Sequence, residues 1–318
     1  MGWVAKPELV AASSNAGAFG FLACAVMQPA EAREEIARLR DLTPHNFGVN
    51  FHSFQPGADQ IVQAILANKD RVRAVSFGRG PDAKMIGAFR DAGILCIPTV
   101  GALKHAIKAV ELGADMITIQ GGEGGGHTGG VPTTILLPQV LAAVKVPVIA
   151  AGGYSTGRGL AAALASGAAG IAMGTRFLMT TDSPTPPATL DRYVKVDDPQ
   201  KVRVTLAVDG MRHRMIENPF INKLEAASPM GRLLIALKSA WHWKQQTGMS
   251  LGHMLGVFRQ ALKEDPGAVS QTVMSANQPV LLQRSMVDGF PDEGILPSGQ
   301  VAAAIGKLES CEDVIHGI

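Results

Sequence analysis

One histidine sits inside the most glycine-dense stretch of the chain. The run is Ile119-Gln120-Gly121-Gly122-Glu123-Gly124-Gly125-Gly126-His127-Thr128-Gly129-Gly130, in which seven of twelve residues are glycine. Glycine lets a backbone turn sharply and lets another molecule approach it closely. Histidine ordinarily titrates near neutrality, so His127 could take or give a proton at physiological pH. The spacing fits a loop that wraps a planar or phosphorylated ligand and offers it one acid–base group. Gly124, Gly126 and Gly129 also match G-x-G-x-x-G. A dinucleotide site, however, needs a helix opening at the loop and an acidic residue about 20 positions on. Here Pro132 interrupts, and no Asp or Glu occurs from Gly124 to Thr181. That stretch carries Lys145, Arg158 and Arg176 and no negative charge, which suits an anionic ligand such as a phosphate. Two further glycine sites lie within it: Gly152-Gly153 after Ala150-Ala151, and Gly174-Thr175 after Met173.

The elements that must position these residues can be read from the apolar pattern. Strands are expected at Ala18–Ala23, Phe47–Phe51, Ala74–Phe77, Leu95–Val100, Met116–Gln120, Val148–Ala151 and Gly170–Met173. Helices are expected near Pro7–Asn15, Pro29–Arg40, Gly57–Ala67, Pro81–Asp91, Leu103–Leu112, Leu136–Val144 and Gly157–Ser166. Strands and helices in alternation imply βαβ units and a parallel sheet. The repeated order of helix, glycine, strand favours a closed (β/α)8 TIM barrel over an open sheet. All three glycine sites then fall at the C-terminal ends of strands, where such folds place their chemistry. The loops after strands seven and eight of a barrel commonly hold a phosphate, so Gly152, Gly153, Gly174 and Thr175 are the expected cradle.

Seven strands are legible, not eight, and the chain opens at Met1-Gly2-Trp3-Val4 directly before the first helix. The expectation is a first strand truncated by a mis-assigned start codon, with the true start about one strand and lead-in earlier. In-frame stop codons immediately upstream would exclude it. From about Pro184 the alternation stops, and Asp191–Gln271 reads as a helical insertion carrying Trp241 and Trp243, packed as a lid. Residues 1–183 are thus expected to form the barrel, 184–290 a helical lid, and 291–318 a C-terminal helix returning to the barrel. That helix is expected to start at Ser298 as its N-cap and to run to about Leu308.

Composition sets the outer limits. The chain has 318 residues, 47% of them hydrophobic and 18% charged, so it can bury a large core. A net charge of +2 gives no reason to expect nucleic acid or a membrane surface as partner. Cys24, Cys96 and Cys311 are odd in number and scattered. That argues against a disulfide framework or a cysteine metal site, and for buried thiols in a reducing cytoplasm. No signal peptide or uncharged apolar run approaching the ~20 residues of a membrane span is evident.

The chain resembles the nitronate monooxygenase (2-nitropropane dioxygenase) family of flavin enzymes. The matching pieces are Met1-Gly2-Trp3-Val4-Ala5, Phe47-Gly48-Val49-Asn50, Gln120–Gly129, Ala151-Gly152-Gly153, Gly174-Thr175-Arg176-Phe177 and Ser298-Gly299-Gln300. They occur in family order and span nearly the whole chain. The resemblance implies a TIM barrel binding FMN. Gly152, Gly153, Gly174 and Thr175 would hold the FMN phosphate. Asn50, Gln120, Gly124, Gly125 and Gly126 would approach the ring, and Ser298 and Gln300 would close the site. His127 matches the catalytic histidine of the family, and no metal is implied.

A narrower resemblance rests on Gly121–Gly129, Thr133-Thr134, Asp209-Gly210-Met211-Arg212-His213-Arg214, Ser298–Val301 and Ser310-Cys311. It points to a bacterial steroid-catabolism subgroup that oxidises a ring hydroxyl on a CoA thioester of the last two steroid rings. The segment Arg212-His213-Arg214 would then meet CoA phosphates. Typical nitronate monooxygenases carry Ala-Gly-Gly-His where this chain has Gly124-Gly125-Gly126-His127. Nitronate oxidation with O2, flavin-dependent enoyl-thioester reduction, and a flavin-less phosphate-binding barrel are the competing expectations. The protein is expected to act on a small molecule in the cytoplasm, as a monomer or homodimer.

Overall fold

Each expected barrel strand forms within a few residues of its expected place, because each is a short apolar run between helices, and Gly17, Gly93, Gly113 and Gly167 stop four of those helices. The computed structural model describes residues 1–78, 83–247, 274 and 277–318. The expected helical sequence from 248 to 271 and the expected helix start at 81–82 lie outside the described residues. The chain divides into two units: Met1–Gly124, Thr128–Pro184 and Gly299–Ile318 form the first, and Gly125–His127 with Thr185–Ser298 the second.

The first unit alternates helices and parallel strands. In chain order it runs α1 (Pro7–Asn15), β1 (Phe21–Ala23), α2 (Pro29–Leu42), β2 (Phe47–His52), α3 (Ala58–Ala67), β3 (Val72–Gly78) and α4 (Ala83–Asp91). Next come β4 (Leu95–Cys96), β5 (Thr99–Val100), α5 (Leu103–Glu111) and β6 (Ile117–Gln120). The short β7 (Gly126–His127) belongs to the second unit. The first unit resumes with α6 (Thr133–Ala143), β8 (Val148–Ala151), α7 (Gly157–Ala165), β9 (Gly170–Ala172) and α8 (Thr175–Leu178). Pairing follows chain order, β1-β2-β3-β4 and then β5-β6-β8-β9, and every pair is parallel.

Leu95–Val100, expected as one strand, is divided at Ile97-Pro98. Proline has no N–H to give to a ladder. The chain still bridges the two sheets there: the Ile97 N–H donates to Val75 O at 2.8 Å, and Pro98 O accepts from the Thr118 N–H at 2.9 Å. The result is a run of seven consecutive parallel strands with helices between them, the layout of a (β/α)8 barrel. Helix ends conform to the same logic. Gly113 and Gly167 sit at φ 100° and 93°, where a side chain would be strained, and each turns a helix back towards its strand.

Two apolar clusters hold this unit. One joins β1–β4 to α1–α4 and is centred on Phe51, whose ring meets Phe77 at 6.1 Å and Phe89 at 6.0 Å, both edge-on. The other gathers Ile117, Ile119, Leu136, Val140, Val148 and Ala163. The C-terminal segment is tied on by polar contacts. Buried Arg176 faces Glu309 at 3.4 Å, the Thr181 N–H donates to Glu309 O, and the Cys311 N–H donates to the Asp182 carboxylate at 2.7 Å. Ser298 does not cap a helix. A 3₁₀ turn spans Gln300–Ala304, and the terminal helix is Cys311–His316, capped by Ser310 accepting from the Asp313 N–H. The turn ends at Ile305, just ahead of Gly306, a poor helix residue.

The second unit is not purely helical. It contains α9 (Pro187–Val194), β10 (Val202–Thr205), β11 (His213–Ile216), α10 (Pro219–Ala226), α11 (Pro229–Thr247) and α12 (Asn277–Met286). The strands β10 and β11 pair antiparallel, and β7 joins the other edge of β11. Each of these strands is only four residues long, too short for the alternation in Val202-Arg203-Val204-Thr205 to stand out among helical sequence. Tyr193 is fully buried and donates to Pro297 O at 2.9 Å. Asn218 accepts from the Ile221 N–H to cap α10 and donates to Pro291 O and Gly294 O. Trp241 is exposed instead of packed inward. Among the described residues no helix is long and apolar enough to cross a membrane.

The Phe51 ring is fully buried at the centre of its cluster. Phe51→Ala should therefore cost about 3–5 kcal/mol of stability in a denaturant titration. A loss under about 1 kcal/mol would contradict a core role for this ring.

Candidate active site

The loop after β6 is stapled to the start of α6 by Glu123. Its carboxylate accepts from the Thr133 N–H at 3.0 Å and from Thr133 Oγ1 at 2.9 Å. A carboxylate at the first turn of a helix satisfies an orphan N–H and complements the helix dipole. The Gly121 N–H donates to Ala151 O at 2.9 Å, and the Gly122 N–H donates to Val131 O at 2.7 Å. Gly121 is needed for closeness, since a Cβ there would lie 2.5 Å from Thr133 N, whereas one on Gly124 would meet only the Gln120 side chain, which can move.

Gly152 and Gly153, just past β8, have φ of 100° and 82°. Such φ values favour glycine and leave the backbone open to a closely approaching ligand. A Cβ on Gly152 would lie 3.1 Å from Thr133 Oγ1 and 3.2 Å from Gly121 N, so the two glycine loops approach backbone to backbone. Gly174 and Thr175 open α8 after β9, and Thr175 Oγ1 accepts from the Gly299 N–H at 2.9 Å. The Gln300 N–H donates to Glu123 O at 3.0 Å. Asn50 lies in β2 and donates from Nδ2 to Ser76 O at 3.1 Å. Within the first unit, therefore, Asn50, Gln120, Gly124, Gly152, Gly153, Gly174, Thr175 and Gln300 all lie towards the C-terminal ends of parallel strands or on the segments tied there.

The remaining expected residues fall in the second unit. Gly125, Gly126 and His127 belong to it, as does Ser298, which is fully buried and donates its N–H to Arg214 O at 3.3 Å. The pairing of β7 with β11 sets His127 directly opposite His213. Their rings stack at 4.5 Å with 27° between planes. His127 Nε2 lies 2.5 Å from Asp209 Oδ2. The Asp209 side chain is 1% exposed and that of His127 37%. Asp209 Oδ1 accepts from the Met211 N–H at 3.0 Å, and Gly210 takes φ 78° to make that turn.

Burial acts to raise the Asp209 carboxyl. The hydrogen bond and charge of His127 and the Met211 N–H together outweigh it and hold the carboxyl below its usual range. His213 is pushed down to about 3, by burial first and then by the His127 charge, so it is neutral at any ordinary pH. The ligand-type atoms of these three residues lie within 4.8 Å of one another.

Two sequence-based expectations change here. His213 is buried and uncharged, and cannot meet a phosphate as a cation. Arg214 donates from Nη1 to Val202 O at 2.7 Å, whereas Arg212 is exposed on the turn. Asp209 was not singled out as functional by itself. It lies 82 positions from His127, and its Asp-Gly pair signals only a turn.

A parallel (β/α)8 barrel with glycine cradles at its strand ends, and a hydrogen-bonded His–Asp pair, is the equipment of an enzyme. Nearly the whole chain, residues 1–65 and 55–318, matches the family model for nitronate monooxygenase. It is 43% identical over 318 residues to the (3aS,4S,5R,7aS)-5-hydroxy-7a-methyl-1-oxo-octahydro-1H-indene-4-carboxyl-CoA dehydrogenase of Rhodococcus jostii, covering 100% of this chain and 89% of that one. The Mycobacterium tuberculosis protein of the same description is 44% identical over 324 residues, with 100% and 90% covered. The solved structure of FabK from Thermotoga maritima superposes with a TM-score of 0.79 at 31% identity, over 100% of this chain and 89% of that one. The chain belongs to the nitronate monooxygenase family and is an oxidoreductase.

The buried neutral His213 has a consequence for stability. Unfolded, it takes a proton below its ordinary 6.5; folded, it resists until about 3. The unfolded chain then binds more protons across that window, so stability falls as pH falls through it, by at most about 1.4 kcal/mol per pH unit. Thermal unfolding should show a drop in Tm between pH 7 and pH 5 that shrinks in His213→Gln. An equal drop in both proteins would contradict a neutral buried His213.

Proposed function

We propose that the protein is an FMN-dependent dehydrogenase that oxidises a ring hydroxyl on a steroid-derived acyl-CoA to a ketone. The observation that carries this reading is the His127–Asp209 hydrogen bond, in a chain collinear with relatives described as hydroxy-indene-carboxyl-CoA dehydrogenases. Oxidation of an alcohol removes a proton from oxygen and a hydride from carbon. The first needs a base near neutrality, which is the role given to His127.

The residues present fit a flavin phosphate. Gly152 and Gly153 hold a positive-φ backbone that favours glycine and keeps side chains off that surface, and Gly174 with Thr175 adds the first turn of α8. Asn50, Gln120 and the backbone of Gly124, Gly125 and Gly126 are assigned to the ring, and Ser298 and Gln300 to the polar groups beside it. The chemistry supplied there is acceptance of the hydride. His127 takes the hydroxyl proton, and the Asp209 carboxylate offsets the positive charge that results. Exposed Arg212 is the cation assigned to the CoA phosphates; Lys201 and Arg203 are already paired with Asp197 and Glu225. The protein is assigned to the cytoplasm, as a monomer or homodimer.

Nitronate oxidation is the second reading, favoured by the family model itself. It would use the same His127 on a proton from carbon. A substrate panel separates the two. The hydroxyacyl-CoA should bleach the flavin absorbance anaerobically, and an alkyl nitronate or an enoyl thioester with NAD(P)H should turn over far more slowly. Faster nitronate consumption would overturn the dehydrogenase reading.

Two variants test the assignments. His127→Ala should keep bound flavin and lose about 10²–10⁴ in kcat. Near-normal turnover would remove His127 from the mechanism. Gly152→Ala should purify with much less flavin, because its φ of 100° is strained for alanine. Full flavin content would move the phosphate elsewhere.

A further inference from the structure

We infer that Asp209 is a positioning residue that fixes His127 as its Nε2–H tautomer, so that proton exchange with the substrate runs through Nδ1. This rests on the proposed role of His127 as the proton acceptor. The geometry is specific. Asp209 Oδ2 lies 2.5 Å from His127 Nε2, and its Oδ1 is committed to the Met211 N–H. An ionised carboxylate only accepts hydrogen bonds. The nitrogen facing it must therefore carry the proton, and in a neutral imidazole the lone pair is then on the other nitrogen.

The carboxylate is itself held in place. Gly210 takes φ 78° and donates its N–H to Leu206 O at 3.0 Å, and the Ala207 N–H donates to Thr205 Oγ1 at 3.1 Å. The loop between β10 and β11 is thus closed at both ends. His213 supplies the third constraint. It stacks on the His127 ring as a buried, neutral wall, which opposes rotation of that ring and does not compete as a cation for Asp209. The neutrality follows from burial, and the stacking from the β7–β11 register.

The order of nitrogens is the reverse of a serine-protease triad, in which the carboxylate holds Nδ1 and Nε2 faces the serine hydroxyl. The balance closes. As the carbon–hydrogen bond of the alcohol breaks, its hydride would pass to the flavin that the proposed site would hold, while the O–H bond breaks and its proton bonds to Nδ1. The imidazolium then lies between substrate and carboxylate. His127 is 37% exposed and returns the proton to solvent.

The test is a two-bond ¹H–¹⁵N correlation spectrum of flavin-replete, ¹⁵N-histidine-labelled protein near pH 8, with the His127 signals assigned by their loss in His127→Gln. Wild type should show the neutral Nε2–H form. Asp209→Asn should give a mixture of tautomers, with kcat down about 10²–10⁴-fold, KM changed less than about threefold and flavin retained. Asp209→Glu should restore part of kcat. A wild-type Nδ1–H form, or an unchanged tautomer in Asp209→Asn, would overturn the inference. The wild-type spectrum decides it even if the variant does not fold. An Nε2–H spectrum in a protein inactive on hydroxyacyl-CoA would count against the proposed substrate and leave the positioning role standing.

Discussion

The carboxylate of Glu123 is the contact on which the first unit's glycine loop depends. It caps α6 through Thr133, while its own carbonyl accepts from Gln300 near the C-terminus. One acidic residue thus ties together the end of β6, the start of the next helix and the returning C-terminal segment. It is also the last negative charge before a long acid-free stretch, and that charge is spent on a helix N-terminus. A glycine-rich loop would otherwise be too disordered to hold a ligand, since glycine loses the most conformational freedom on folding. Closing the loop from both sides restricts it before any ligand binds.

Closeness is the second constraint. At Gly121 and Gly152 neighbouring backbone and Thr133 lie close to where a Cβ would be. The backbones at the ends of β6 and β8 can then come within a few ångströms of each other, presenting backbone instead of side chains. A planar, phosphorylated cofactor needs such a surface: wide, polar by backbone only, and free of bulk. The side chains that do chemistry come from elsewhere.

In the second unit, desolvation organises the chemistry. Burial alone would neutralise both Asp209 and His213. His213 yields to it and becomes an uncharged wall. Asp209 does not, because His127 and the Met211 N–H stabilise its charge. Two buried groups a few residues apart are therefore both held deprotonated, Asp209 as an anion and His213 as a neutral ring. That difference in charge gives each a distinct role towards His127.

Much of this was legible from the residues alone. The seven barrel strands follow from short apolar runs with helix-length spacers, and Gly113 and Gly167 mark where helices end. The glycine cradles and His127 are local in sequence, so composition and spacing reveal them. What local pattern could not carry was anything dependent on distant contact. The strands β10 and β11 were hidden by their length of four residues each and by a partner, β7, of only two residues far upstream. His213 was expected to meet CoA phosphates with its arginine neighbours, since burial is a property of the fold and not of Arg212-His213-Arg214. Asp209 read as half of a turn. By itself the sequence determined the barrel, its strand ends and the histidine, because each depends on neighbours along the chain. Only the tertiary structure decided that Asp209 meets His127 and that His213 is neutral, because both depend on pairing and desolvation across 82 positions.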